Sequence, residues 1–428
     1  MKVNFLRKLT IFVMSVLVSA TVFAQADVDS PYSLYAIGQV RNKTMNIALK
    51  GMGSASNAMY GGGMINVANP ASYAMIDSLA FLFDAGFYFK TSTFSTSTLS
   101  EQSANASFDY LAMCFGITQW WKTSLGVMPY SMKGYTMIVN GIGDEAGSAT
   151  SFKGEGGLNR VFWGNGFKIG KHFSLGFNAY YVFGDTKTET TLYFPDSLYM
   201  LDTRRNVDLM VSSFMFDYGL QYNTDIASDL NLSVGLTYGQ PIKLNGKQTL
   251  YIRSIEEDET TEVEYVIDTI VNKSSKSKLT MPQSIGVGVA LQKRERWSIA
   301  ADFNWTQWTK YARDGISDPT LQNSWNVAIG AEFSPVHSSI SGYFRRMQYR
   351  VGALYEHGYL NINDHSIDRI GLTVGAALPL PRSLSKVNLA LEVGQYGTKA
   401  ADLIQERYIR LNVGISVNER WFIKRKYK

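Results

Sequence analysis

The chain has 428 residues with 25 Tyr, 23 Phe and eight Trp, against a single cysteine, Cys114, and only 18% charged residues. One cysteine excludes an internal disulfide. The formal charge of +5 falls by three, to +2, without the basic residues Lys2, Arg7 and Lys8, so nucleic acid is not an expected partner. No stretch beyond the N-terminal leader reaches the roughly 18 consecutive apolar residues of a spanning helix, which leaves β-strands as the means of crossing a membrane.

The leader itself, MKVNFLRKLTIFVMSVLVSATVFAQA, has a basic start, an apolar run from Leu9 to about Val18 and small residues at Ala24 and Ala26. It reads as a secretory signal peptide over residues 1–24, with cleavage after Ala24 or Ala26. Residues 27–79 follow without alternation. They contain ALKGMGSASNAMYGGGMINVANPAS, too poor in large side chains to bury a core of their own. Such a segment gains order only against another surface. Gly61, Gly62 and Gly63 let the backbone pass close to that surface where side chains would clash, and Pro70 biases Asn69 away from helix and fixes a turn before the first strand.

From residue 80 onward the pattern has period two. Phe81, Phe83, Ala85, Phe87 and Phe89 share one face, opposite Leu82, Asp84, Gly86, Tyr88 and Lys90. Similar alternation runs through Leu111 to Ile117, Phe173 to Phe183, Trp297 to Trp305 and Ile409 to Val417. The second faces are dominated by Gly, Ala, Ser and Asn instead of Lys and Glu, and aromatics gather at strand ends. That favours a transmembrane barrel over a soluble sandwich. The windows 80–94, 105–118, 120–132, 156–170, 172–186, 206–223, 229–240, 279–293, 296–309, 324–334, 347–357, 367–378, 386–397 and 406–418 predict fourteen antiparallel strands. Short and long connections alternate between them, as in barrels with both ends in the periplasm. Fourteen strands enclose a lumen too wide to fill with their own side chains, so residues 27–79 are expected to plug it.

Three segments break the rhythm. In SLGVMPYSMKGY, Gly126, Pro129 and Gly134 interrupt the third strand, which marks either a kink that opens the wall or the strand's outer end. Residues 247–272 alternate on both sides of the acidic run Glu256 to Glu259 and predict a projecting hairpin, whereas 133–155 show no periodicity. The end, residues 419–428, is a basic tail with Lys424, Arg425 and Lys426, a candidate contact for a periplasmic or secretion partner.

The order of these features resembles the FadL/TodX family of outer-membrane transporters for hydrophobic compounds. The resemblance rests on the leader, the small-residue segment with Asn69-Pro70-Ala71 before strand one, and MPQSIGVGVAL, WSIAADFNWTQWTKY, YRVGALY and IDRIGLTVGAAL further on. It implies a 14-stranded barrel in the outer membrane of a Gram-negative bacterium, an N-terminal hatch containing the Asn-Pro-Ala motif, and a kinked third strand. It also implies passive transport of long-chain fatty acids or aromatic hydrocarbons, without a cofactor, by a monomer. Because some FadL-like barrels serve type IX secretion, protein secretion or surface assembly is a second expectation. A hydrophilic porin is a third.

Catalysis finds little support. Four histidines are present, and no Ser or Asp stands at a readable spacing from a base on any strand. His357 and His365, eight apart in one loop, fall short of a metal site, so no catalytic residue, metal or cofactor is expected. Parity sends Asp84, Asp217, Asp302, Glu332, Glu356 and Glu392 into the lumen with Lys90, Arg160, Lys168, Arg350 and Arg410. These charges are expected to pair and to anchor the plug. Arg350 or Arg410 is the candidate for a ligand carboxylate.

Overall fold

A computed structural model describes residues 30–140, 148–194, 200–258, 263–293, 296–335, 342–381 and 383–420. The leader 1–24 and the basic residues 421–428 lie outside the described residues.

Fourteen antiparallel strands form the wall. They are β1 (Ala80–Ser95), β2 (Ser100–Gly116), β3 (Trp121–Met132), β4 (Ala149–Ile169), β5 (Phe173–Tyr193), β6 (Asp202–Ala227) and β7 (Leu230–Gly239), then β8 (Ser284–Lys293), β9 (Trp297–Thr306), β10 (Ser324–Phe333), β11 (Gln348–His357), β12 (Arg369–Pro379), β13 (Lys386–Tyr396) and β14 (Gln405–Arg420). Each pairs with the next, and β1 closes on β14 from Ala80 opposite Arg420 to Ser95 opposite Gln405. Closure leaves the wall no edge except along the outer part of β2, and strands so closed can lie in hydrocarbon.

Alternation explains what each face does. Phe89, Leu125, Val161, Trp163, Leu175, Phe214, Ile299, Phe303, Val351, Leu372 and Leu411 point outward and are exposed on the isolated chain, forming the apolar band. Asp84, Asn178, Gln221, Asp302 and Asn412 point inward and are buried. The described connections at one end are short, as at 117–120, 170–172 and 228–229; long ones occupy the other. We refer to these as the inner and outer ends.

Residues 30–79 lie inside the wall. They carry a two-residue strand (Gln39–Val40), a short helix α1 (Ile47–Lys50) and a 3-10 helix (Pro70–Met75). Leu49, Met52, Ala55, Ala58 and Met59 pack against Ala290, Ala300 and Ala328 of the wall. The wall makes room with glycine: a Cβ on Gly176 would overlap the Pro70 backbone, and one on Gly219 the Asn69 side chain. The small inward residues of the sequence thus seat the plug; they do not line a wide pore.

Two outer segments differ from expectation. The hairpin is longer than 247–272: it is built from Ile242–Asp258 and Val263–Met281 and pairs along the outer half of β6, from Gly246 opposite Val211 to Ile255 opposite Asp202. Within 133–155, Tyr135–Asn140 pairs with Ala149–Gly154 as an extension of β4, because β-branched residues in both arms suit strands despite the Gly and Ser around them.

Candidate functional site

The Asn-Pro-Ala motif sits where the plug meets the wall. Asn69 caps the 3-10 helix, its Oδ1 accepting from Ala71 N at 3.1 Å, and Pro70 occupies the first helical turn, where a missing N–H costs nothing. Asn69 Nδ2 donates to Asn57 O at 2.6 Å and to Leu220 O of β6 at 3.4 Å. Ala71 is fully buried. Gly61, Gly62 and Gly63 all have positive φ, from 65° to 80°, and nothing stands within 4 Å of a Cβ at Gly61. Their backbone makes a turn, and at Gly63 it passes close to the wall, where a Cβ would stand 2.8 Å from Asn418 Nδ2 of β14.

Further ties hold the plug around much of its perimeter. Asp302 Oδ2 accepts from Ser56 N at 2.5 Å and Asn57 N at 2.7 Å, and Gln221 Nε2 donates to Ala58 O at 2.9 Å. Tyr73 donates to Asn178 Oδ1 at 3.0 Å, and Thr373 donates to Gly51 O at 3.1 Å. Asn46 donates to Asp84. Charges add to this: Lys43 of the plug lies 3.0 Å from Asp217, and Lys50 pairs with Asp109. Burial holds the Lys50 ammonium below the ordinary lysine range, against the upward pull of Asp109.

Asp109 escapes sequence parity, which would send it to lipid with Leu111. A β-bulge skips it, since Gly86 faces Tyr110 while Phe87 faces Phe108, and the side chain turns inward to 5% exposure. The same region holds the irregularity of the third strand. β2 and β3 pair only from Leu111 opposite Val127 to Gly116 opposite Lys122. Beyond Val127, β3 bends toward the plug, with Met132 opposite Gln39, Ser131 opposite Val40, and Arg41 N donating to Tyr130 O at 3.0 Å. Gly126 packs against β2 backbone and the Phe162 ring, Pro129 precedes a register shift against β4, and Gly134 follows the end of β3.

Above the plug, two adjoining open cavities share Val40, Arg41, Asn42, Thr44, Asn326, Glu356 and Arg369. The smaller one reaches Asp109, Met128 and Pro129, at the place where β2 and β3 part. The lining mixes apolar residues, among them Met45, Leu354, Tyr130, Met215, Met281, Trp308 and Tyr359, with charged ones.

The inward charges are mostly paired. Lys90 meets Glu406 at 2.7 Å, Arg350 meets Glu332 at 2.6 Å, and Arg369 meets Glu392. Arg350 also donates to Asn388 Oδ1 at 3.1 Å and Gln348 Oε1 at 3.2 Å, so its guanidinium is occupied, beside Gly62 and Gly63 under the plug. Arg410 lines the smaller cavity, stacks over Tyr88 at 5.0 Å and has no partner for its buried Nε. Arg160 is more isolated still. It is 1% exposed, sits over the rings of Tyr180 at 4.7 Å and Tyr130 at 5.3 Å, and has no hydrogen-bond partner for Nε or Nη2. Parity placed it in the lumen, but only the fold shows that its donors are free.

His357 and His365 do not meet as ligands. His357 stacks on Trp325 and lies 3.1 Å from Asp368, while His365 contacts Asn363 O at 2.7 Å. Among the described residues no group of three or more His, Cys, Asp and Glu is placed to hold a metal, and no helix is long and apolar enough to cross a membrane.

Comparison with known proteins adds two findings. A family model described as BamG matches residues 5–428. No curated protein matches. Among solved structures, the Pseudomonas putida toluene transporter TodX superposes with a TM-score of 0.58 at 16% identity, over 89% of this chain and 100% of that one. The Ralstonia pickettii toluene transporter TbuX gives 0.58 at 13%, over 88% and 98%. A Pseudomonas aeruginosa FadL homologue gives 0.54 at 12%, over 90% and 100%. At such identities the likeness shows the fold, the plugged FadL/TodX barrel of outer-membrane proteins.

Proposed function

The chain belongs to the BamG family, and on that premise and its FadL-type fold we propose that it passes amphipathic or hydrophobic small molecules across the outer membrane without energy coupling. The observation that carries this reading is the departure of β3 from β2 beside a cavity lined by apolar and charged residues together. A molecule of the fatty-acid or aromatic-hydrocarbon type enters from the outer end and lays its apolar part along Met215, Met281 and Trp308. It leaves through the seam beyond Val127 or past a shifted plug. Gly126, Pro129 and Gly134 shape that seam, and Asn69, Pro70 and Ala71 lock the plug, with Gly61 to Gly63 as its hinge.

Of the two arginines expected to meet a carboxylate, Arg350 already spends its donors on Glu332, Asn388 and Gln348. The contact is therefore assigned to Arg410, and Arg160 joins it, since a buried guanidinium with free N–H groups gains most from an anionic partner. Reconstituted protein is expected to bind a long-chain fatty acid and to leave liposomes impermeable to small sugars. Sugar entry in a swelling assay would favour the porin reading; absence of fatty-acid and toluene binding alike would refute transport.

A second reading, service in protein secretion or surface assembly, is favoured by one observation: the outer hairpin exposes Tyr265, Val266, Ile267 and Ile270 to water. Affinity capture in mild detergent tests it through recovery of one protein in near-stoichiometric amount.

A further inference from the structure

The outer hairpin carries a second feature, at its base. Ile242–Asp258 and Val263–Met281 pair without a register shift from Ile242 opposite Met281 to Ile252 opposite Val271. In that stretch Lys243, Asn245 and Lys247 share a face with Lys276 and Lys278, because Lys247 stands opposite Lys276 and Asn245 opposite Lys278. The opposite face bears Leu244 and Leu279, both buried, so the lysines point away from the lumen. All four lysines are exposed and none forms an ion pair among the described residues.

Their height is fixed by β6. Lys247 is the register partner of Met210, which is 61% exposed, and the same outward face of β6 continues through Phe214 and Tyr218 into the apolar band. Tyr238, Trp305 and Trp325 are aromatic residues at the outer ends of β7, β9 and β10, and Tyr238 stands opposite Tyr218 of β6. The lysines therefore stand beyond that level on the outward face, on the outer side of the hydrocarbon. Asp208 of β6 shares this face, opposite Thr249 on one side and Lys187 on the other. Asp314 is occupied by Lys278 N and Ser277 Oγ.

Like charges directly opposite each other on a sheet repel, and neither Lys247 nor Lys276 has an ion-pair partner among the described residues. We propose that Lys243, Lys247, Lys276 and Lys278 form a binding site for the phosphate groups of a phosphorylated glycolipid in the outer leaflet. Several lysines converging on phosphate at the membrane surface each add to the attraction, and they act as point charges without bidentate geometry. The site is independent of the lumen and holds whether or not the barrel transports anything.

The test uses the full-length protein in phosphatidylcholine nanodiscs doped with diphosphoryl lipid A or with its dephosphorylated form, with bound lipid counted by native mass spectrometry. The wild type is expected to retain the diphosphoryl form, and K243Q/K247Q/K276Q/K278Q to retain about tenfold less or lower still. A heat-modifiable gel shift verifies that the variant is folded. Should it fail to fold, K247Q/K276Q gives the same reading with a smaller loss. K171Q, in an inner turn, is expected to behave as wild type. Equal retention of the two lipid forms, equal retention by wild type and the lysine variant, or full displacement by inorganic phosphate at matched ionic strength would overturn the site.

Discussion

Replacing Asn69 with Ala tests how the plug is held. The substitution removes the acceptor for Ala71 N at 3.1 Å and the donor to Asn57 O at 2.6 Å, as well as the longer contact to Leu220 O. Loss of an N-cap costs about 0.5–2 kcal/mol, and a buried carbonyl deprived of its donor costs about 1–3 kcal/mol. Leu220 keeps its ladder position between β5 and β7, so its share is small. The total is about 1.5–5 kcal/mol, or roughly ten- to several-thousandfold in the population of the loosened plug. The wall makes none of its strand-to-strand bonds through Asn69, so the barrel should survive. Planar-bilayer recording is expected to show frequent openings in the variant where the wild type shows rare ones, with an unchanged heat-modifiable shift. N69D, which keeps the cap and loses the donor, should fall between them. Identical conductance for wild type and N69A, with the barrel intact in both, would refute the reasoning.

Gly176→Val should displace the plug in the same assay, since its Cβ would overlap the Pro70 backbone and overpacking of this kind costs about 1–3 kcal/mol; unchanged conductance would mean that the plug seats elsewhere. Arg160→Gln should weaken fatty-acid binding by about tenfold to a hundredfold and leave toluene binding untouched, as measured by calorimetry; equal losses for both ligands would contradict a carboxylate contact. In the outer loop after β11, Asp368 is partly desolvated, which alone would raise its pKa. Hydrogen bonds from Ser366, Tyr355 and Gly358 N outweigh this and hold the carboxyl below its usual range. A depressed carboxylate contributes stability above its unfolded pKa and loses it as pH falls through the folded value. Protection of the Gly358 amide, corrected for intrinsic exchange, is therefore expected to drop in acid, and to be low with little pH dependence in D368N.

Much of the wall was legible because a strand in lipid must alternate. Phe81 to Phe89 and Ile409 to Val417 announce their faces residue by residue, and the fourteen wall strands fall close to the expected windows. The plug was legible from composition, since residues 30–79 lack the side chains for a separate core. What could not be read depends on contacts across the lumen. Arg350 and Arg410 have the same parity, and only the position of Glu332 shows that the first is occupied. Asp109 defeated the parity rule through one bulged residue. The base of the outer hairpin was missed because Ile242 to Gly246 becomes strand by pairing with Leu279 and β6, a partner far away in the chain. Free donors on Arg160 are likewise a property of the packed lumen, invisible in the run Leu158 to Phe162.

The central claim is that residues 30–79 close a fourteen-stranded pore. Deleting residues 27–70 and recording single-channel conductance beside the full-length chain addresses it most directly. The full-length protein is expected to be nearly silent and the deletion to give large, steady, open-pore currents while still showing the heat-modifiable shift of a folded barrel. Equal conductance from two folded proteins would contradict it.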